Sequence, residues 1–376
     1  MLLLSGPNIA GNEWKYVKDC LDTGWVSSVG SYVDQFEKIT AAYVGSKYAV
    51  ATSCGTTALH VCLLLNGIGK DDYVIAPNVT FIATVNSIKY TGADPILIDI
   101  DPASWQMDLD LLEEFLQNEC SVEADGCLYK KNNRKVKAIM PVHVLGNMCD
   151  MDRLIQLADH YKLIILEDST EALGSRYKGK HAGTFGLMGT FSYNGNKIIT
   201  TGGGGMIVTD NEELAKRAKH ITTQAKSDPF EYEHDEIGYN YRLVNTAAAM
   251  GVAQMELLPG FLEKKIEIIN YYRKELTGVG DISFQQVSDD VKPNWWMPTI
   301  MTAKQKQVLS VLNNNKMQSR PFWIPMNRLK MFTDDIYYNH TDKSFETYQK
   351  CLSIPCSTNI TKEDMFSVCE KIKQVY

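Results

Sequence analysis

Tyr48-Ala49-Val50-Ala51-Thr52-Ser53-Cys54-Gly55-Thr56-Thr57-Ala58-Leu59-His60-Val61-Cys62-Leu63-Leu64 runs from a short apolar strand, through a Gly-Thr-Thr turn, into an apolar helix. A strand that is apolar on both faces must be covered on both faces, which is the mark of a parallel sheet between helix layers. The same alternation continues outward from this unit. Residues 73–76, 95–99, 136–142 and 163–168 read as strands, and 80–90, 109–116 and 151–161 as helices. Residues 189–193 and 205–209 follow as two more strands joined by a loop, which predicts an antiparallel component. Residues 245–276 read as one long helix with Pro259-Gly260 inside it. The predicted class is therefore α/β: a large domain over residues 1–250 with an N-terminal arm and a mostly parallel mixed sheet flanked by helices, then a smaller C-terminal α/β domain over 251–376.

Composition narrows the function. With 44% hydrophobic and 22% charged residues the chain balances like an ordinary soluble protein, so disorder and collagen are excluded. The net charge is -7, and no basic stripe is present to neutralise a nucleic-acid backbone. The short cluster Lys130, Lys131, Arg134 and Lys135 reads as a solvated loop. The N-terminal apolar run Leu2-Leu3-Leu4 is too short for a secretory signal, and no stretch reaches membrane-spanning length, so a cytoplasmic protein is expected. The nine cysteines include no CxxC pair, so no metal site is predicted and free thiols are expected.

Open α/β sheets bind ligands at the carboxyl ends of their strands. Four features fall there. Ser53-Cys54-Gly55-Thr56-Thr57 leads a strand into a helix N-terminus, where free amides and hydroxyls suit a phosphate; alone, it reads equally as a helix cap. Asp168 ends an apolar strand and serves either as a cap or as a functional carboxylate. Lys197 lies between a strand and Gly202-Gly203-Gly204-Gly205, where desolvation would make its amine a nucleophile. No Gly-Lys-Ser/Thr follows the glycines, so a Walker-type site is not indicated. Phe81 follows the 73–76 strand and offers a ring face to a flat ligand. His143, at another strand end, reads mainly as a structural side chain that shapes the pocket or bonds a backbone carbonyl.

The ordered set Gly-Thr-Thr-Ala-Leu-His, Thr-Phe-Ile-Ala-Thr, Glu-Asp-Ser-Thr-Glu-Ala-Leu-Gly, Phe-Ser-Tyr-Asn-Gly-Asn-Lys, Thr-Thr-Gly-Gly-Gly-Gly-Met and Gly-Tyr-Asn-Tyr-Arg resembles the DegT/DnrJ/StrS-type sugar aminotransferases from about residue 5 to beyond 370. That resemblance implies a fold-type I enzyme using pyridoxal 5'-phosphate. It implies Lys197 as the cofactor-linking lysine, Asp168 as partner of the pyridine nitrogen and Phe81 as the stacked ring. Glu171 falls beside the phenolic oxygen, where Gln also occurs in the family. Gly55, Thr56 and Ser192 fall at the phosphate, and Asn240 is implied to reach the phosphate of a neighbouring subunit, hence a homodimer.

The implied reaction moves an amino group from glutamate to a nucleotide-linked 4-keto-6-deoxy sugar. Residues 24–28 and 194–201 most resemble the branch acting on UDP-4-keto-6-deoxy-N-acetylglucosamine, which feeds bacillosamine and legionaminic acid in bacterial glycans. Trp25, Val26, Ser27 and Arg320 are the candidate sugar-nucleotide contacts, Arg320 through its two-pronged guanidinium. A sugar dehydratase of the same fold is the rival, but such relatives carry His where Lys197 stands. A non-catalytic binding protein of this fold would have less need for the complete set.

Overall fold

The computed structural model describes residues 1–228 and 230–376. Its main sheet is ordered Tyr48–Thr52, Gly205–Thr209, Met188–Ser192, Ile164–Asp168, Arg134–Ile139, Asp72–Pro77, Asp94–Ile98 and Ile336–Tyr338. Every pairing along this path is parallel except the two made by Gly205–Thr209, which is antiparallel to both of its neighbours. The mixed, mostly parallel sheet expected from the alternation is present.

Burial explains the apolar strands. Val74, Ile75 and Ala76 are fully enclosed, as are Ile96, Leu97 and Ile98. Each of the Val, Leu and Ile side chains contributes roughly 1.5–3 kcal/mol of transfer free energy. Helices Gly55–Leu65 and Glu212–Thr222 cover one face, while Leu109–Glu119 and Met151–His160 pack against the hydrophobic cluster that includes Ile75, Ile96, Ile98 and Ile139.

Some local expectations change. The helix predicted from residue 80 begins at Ala83, because the Asn78 amide is held by the Ile98 carbonyl (2.8 Å) and its side chain by Asn327 (3.0 Å). The basic cluster is a solvated loop only in part: Lys130 and Lys131 lie in an exposed turn, whereas Arg134 and Lys135 open the strand Arg134–Ile139. Residues Cys120–Glu123 and Gly126–Tyr129 form a hairpin added to Arg134–Ile139. Arg134 pairs with Asp94 at 2.7 Å and lies over the Tyr73 ring, Lys131 pairs with Glu119 and Lys135 with Asp125. Local acids and carbonyls therefore already occupy these cations.

Helix Asn245–Leu276 runs unbroken through Pro259. We propose that the second structural unit begins within it. Downstream, Ser283–Phe284, Thr299–Met301, Cys351–Ser353 and Arg320–Pro321 form a separate antiparallel sheet. Several connections cross between the units, among them the pairing of Val291–Lys292 with Arg176–Tyr177. Ile336–Tyr338 returns to the main sheet beside Asp94–Ile98, and the N-terminal arm pairs with the C-terminal part, Leu2 bonding Lys316 and Gln318.

Candidate active site

The parallel strands end on one edge, and the expected residues gather there. Gly55, Thr56, Phe81, Glu171, Ser192, Lys197 and Arg320 line one cavity of about 430 Å³, and Asp168 lies buried beside it. Lys197 is presented by a closed loop. Its amide donates to the Asn194 carbonyl, Thr201 bonds back to Tyr193, and the buried Ile198 and Ile199 anchor the loop from beneath. With its neighbours pinned inward, the lysine side chain turns to the cavity.

Its Nζ lies 3.9 Å from Glu171 Oε1 and 3.9 Å from the centroid of the Trp296 ring. Burial pushes the Lys197 amine below its ordinary value, against the opposing pull of Glu171 and Asp168. A lysine that loses its charge easily is a usable nucleophile and base. Burial also raises the Glu171 carboxyl to about 7, although Lys197 and the Leu145 amide (2.8 Å) favour its charged form. Leu145 supplies that amide from a left-handed backbone, φ 59°, which costs a non-glycine residue of order 1 kcal/mol.

Both Asp168 oxygens are fixed. Oδ2 accepts the Thr84 hydroxyl at 2.7 Å, and Oδ1 accepts the Thr170 hydroxyl at 2.7 Å and the Thr170 amide at 3.2 Å. This carboxylate cannot rotate away from a ligand. The first turn of Gly55–Leu65 offers its amides close to Ser192. A Cβ on Gly55 would stand 2.9 Å from the Ser192 Cβ and 3.1 Å from Thr170, so only glycine leaves this cradle open. Anion-binding amides, a half-exposed Phe81 ring, an anchored carboxylate and a desolvated amine fit pyridoxal phosphate.

Other candidates are placed differently. His143 is fully buried and bonds the Glu167 carboxylate at 3.0 Å rather than a backbone carbonyl. Glu167 also takes the amides of Gly183, Phe185 and Gly186, so the pair braces the strand end from behind. Trp25, Val26 and Ser27 are exposed and do not line the cavity of their own chain; Asn245 holds this loop through the Trp25 and Ser27 carbonyls. Asn240 is likewise exposed and outside that cavity. Sequence reasoning missed Thr84, Thr170, Leu145 and Trp296. Thr84 sat inside the quoted Thr-Phe-Ile-Ala-Thr motif, whereas Trp296 carries no local signal.

The buried Glu171 makes stability depend on pH. Its carboxyl titrates near the model-peptide value when unfolded and at about 7 when folded. The associated stability is present below the unfolded value and is lost as pH rises through about 7. Glu171→Gln escapes that loss. Melting of the apoprotein should show the variant gaining on the parent between about pH 5 and pH 8, approaching about 3 kcal/mol. A pH-independent difference would contradict a raised carboxyl.

The sequence pattern of the DegT/DnrJ/EryC1/StrS aminotransferase family matches residues 7–373. The GDP-perosamine synthase of Escherichia coli O157:H7 is 38% identical over 98% of this chain and 97% of its own length. That of Caulobacter vibrioides is 35% identical over 99% and 97%. Helicobacter pylori PseC, an aminotransferase involved in pseudoaminic acid biosynthesis, shares the fold with a TM-score of 0.88 at 23% identity, covering 100% of this chain and 99% of its own. These relatives do not single out the UDP branch suggested by residues 24–28 and 194–201. The chain belongs to the DegT/DnrJ/EryC1/StrS family and is a pyridoxal-phosphate-dependent sugar aminotransferase.

Proposed function

We propose that the chain transfers an amino group from glutamate to the C4 keto carbon of a nucleotide-linked 4-keto-6-deoxy sugar. The carrying observation is the desolvated Lys197 amine facing Glu171 in a cavity whose lining also includes Arg320, Phe322 and Trp323. Pyridoxal phosphate, when bound, supplies an electron sink for the reacting carbon. The protein's own groups do the rest. Gly55, Thr56 and Ser192 would hold the cofactor's phosphate, Phe81 would cover its ring, Asp168 would keep a proton on its pyridine nitrogen and Glu171 would face its phenolic oxygen. Lys197 Nζ removes the α-proton of the amino donor in one half-reaction and delivers a proton to the sugar C4 in the other.

Two nucleotides compete. The relatives at 38% and 35% identity support a GDP-linked sugar, and the 24–28 and 194–201 segments support a UDP-linked 2-acetamido sugar. The first rests on the whole chain and is preferred. A panel of GDP- and UDP-linked 4-keto sugars with glutamate, read by NMR, should favour GDP by at least about tenfold in kcat/KM. Dehydrated products without amination would sink the aminotransfer reading.

We also propose a homodimer with shared sites and a cytoplasmic location. Phe230, Tyr232 and Ile237 are 89%, 90% and 85% exposed and stand close in sequence to the exposed Asn240. Such apolar exposure supports an interface, one that would bring Asn240 and the Trp25–Val26–Ser27 loop to a partner's cavity. Sedimentation returning a monomer at micromolar concentration would remove this proposal. All nine cysteines are free thiols, which suits a reducing compartment. No described helix is long and apolar enough to cross a membrane.

A further inference from the structure

We infer that Trp296, delivered from the downstream part of the chain, is a positioning residue for the Lys197 amine. Its ring face receives the ammonium whenever that amine is free, and its indole N–H fixes the backbone that carries it. The inference rests on Lys197 being the reactive amine.

Both contacts are direct. The Trp296 Nε1 donates to the Asn196 carbonyl at 2.7 Å, one residue before Lys197. The Lys197 Nζ stands 3.9 Å from the ring centroid. The ring is only 2% exposed and the Lys197 side chain only 12%, so water screens the attraction between cation and quadrupole only in part. Glu171 Oε1, also at 3.9 Å, is too far for a hydrogen bond. Among the described residues, none makes a hydrogen bond with Nζ. The aromatic face is thus a principal stabiliser of the charged amine.

Trp296 is itself held on several sides. Its amide donates to the Asn294 side chain at 2.8 Å, and Asn294 Nδ2 donates to the Glu171 carbonyl at 2.8 Å. Its carbonyl accepts the buried Lys265 ammonium at 2.8 Å, and its ring lies nearly parallel to Trp323. One short segment therefore ties the lysine loop to the strand end bearing Glu171. Aminotransfer needs such a support, because the lysine is released from the cofactor in each cycle and must return to one place.

The groups facing the amine are Glu171, Asp168 and Trp296. The carboxylates favour its charged form and burial opposes it, while the ring face attracts the ammonium. With an apolar side chain filling the place of the ring, loss of that attraction moves the amine toward neutrality at lower pH. The test follows capture of pyridoxal phosphate by the full-length apoprotein, read by absorbance as a function of pH. Only the neutral amine attacks, so the capture rate reports its midpoint.

Trp296→Phe keeps a ring and should hold the midpoint near that of the parent. Trp296→Leu should lower it by about one pH unit, a tenfold shift in the protonation equilibrium, and should also reduce the maximal rate. A packing role alone would slow capture without moving the midpoint, so an unchanged midpoint in Trp296→Leu overturns the inference. If that variant does not fold, the unmodified apoprotein decides. The Lys197 ε-methylene protons should be shifted upfield by the ring current, with Lys197→Ala identifying the signal, and an unshifted signal overturns the inference. If Lys197→Ala still captures the cofactor through the same linkage, the assignment of Lys197 fails instead.

Discussion

Lys197→Ala should fold, retain pyridoxal phosphate without a covalent link and lose amino transfer by on the order of 10⁴-fold or more. Several losses coincide. The proposed cofactor-linking nucleophile would disappear, and with it the amine proposed to move a proton in both half-reactions. The phosphate cradle at Gly55 and Ser192, the Phe81 ring and the anchored Asp168 stay in place, so cofactor affinity should fall without vanishing. Stability should change little. The amine is a desolvated charge with a carboxylate at 3.9 Å, and removing it leaves Glu171 free to stay protonated. Borohydride treatment followed by peptide mapping checks the result. The parent should carry the reduced cofactor on Lys197 and the variant on no lysine. Labelling of another lysine with activity intact would refute the assignment.

The sheet was legible because strands such as Asp72–Pro77, Asp94–Ile98 and Ile164–Asp168 carry enclosed apolar runs. The site was legible for a related reason. Asp168 and Ser192 close their strands, Gly55, Phe81 and Lys197 follow within five residues of a strand end, and parallel strands bring those ends to one edge. What stayed hidden depends on long-range closure. Ile336–Tyr338 is a short apolar run whose place in the main sheet follows only from its pairing with Asp94–Ile98. Trp296 lies 99 positions beyond Lys197 in the chain and reaches it only because the segment after the long helix folds back. Thr170 stood inside the quoted Glu-Asp-Ser-Thr-Glu motif with no role assigned to it, and in the structure it is one of two hydroxyls that clamp Asp168.

That clamp determines what should happen when Asp168 is changed. Asp168→Asn keeps the shape and loses the charge. The Thr84 and Thr170 hydroxyls, which now donate to carboxylate oxygens at 2.7 Å, would meet an amide that accepts at one position only. One of them must turn or go unpaired inside a buried pocket, at a cost of about 1–3 kcal/mol. The chemical effect is larger. Without a negative partner the pyridine nitrogen no longer keeps its proton at neutral pH, and the ring loses its pull on the reacting carbon. Both half-reactions use that pull, so each should slow by on the order of 10²–10³-fold, the scale seen when a preorganised electrostatic group is removed. Single-turnover kinetics with glutamate alone, then with the keto sugar alone, separate the halves. Equal losses in both are expected, while borohydride should still link the cofactor to Lys197. Near-normal turnover would assign Asp168 to structure, and a loss confined to the sugar half-reaction would move its role from the cofactor to the substrate.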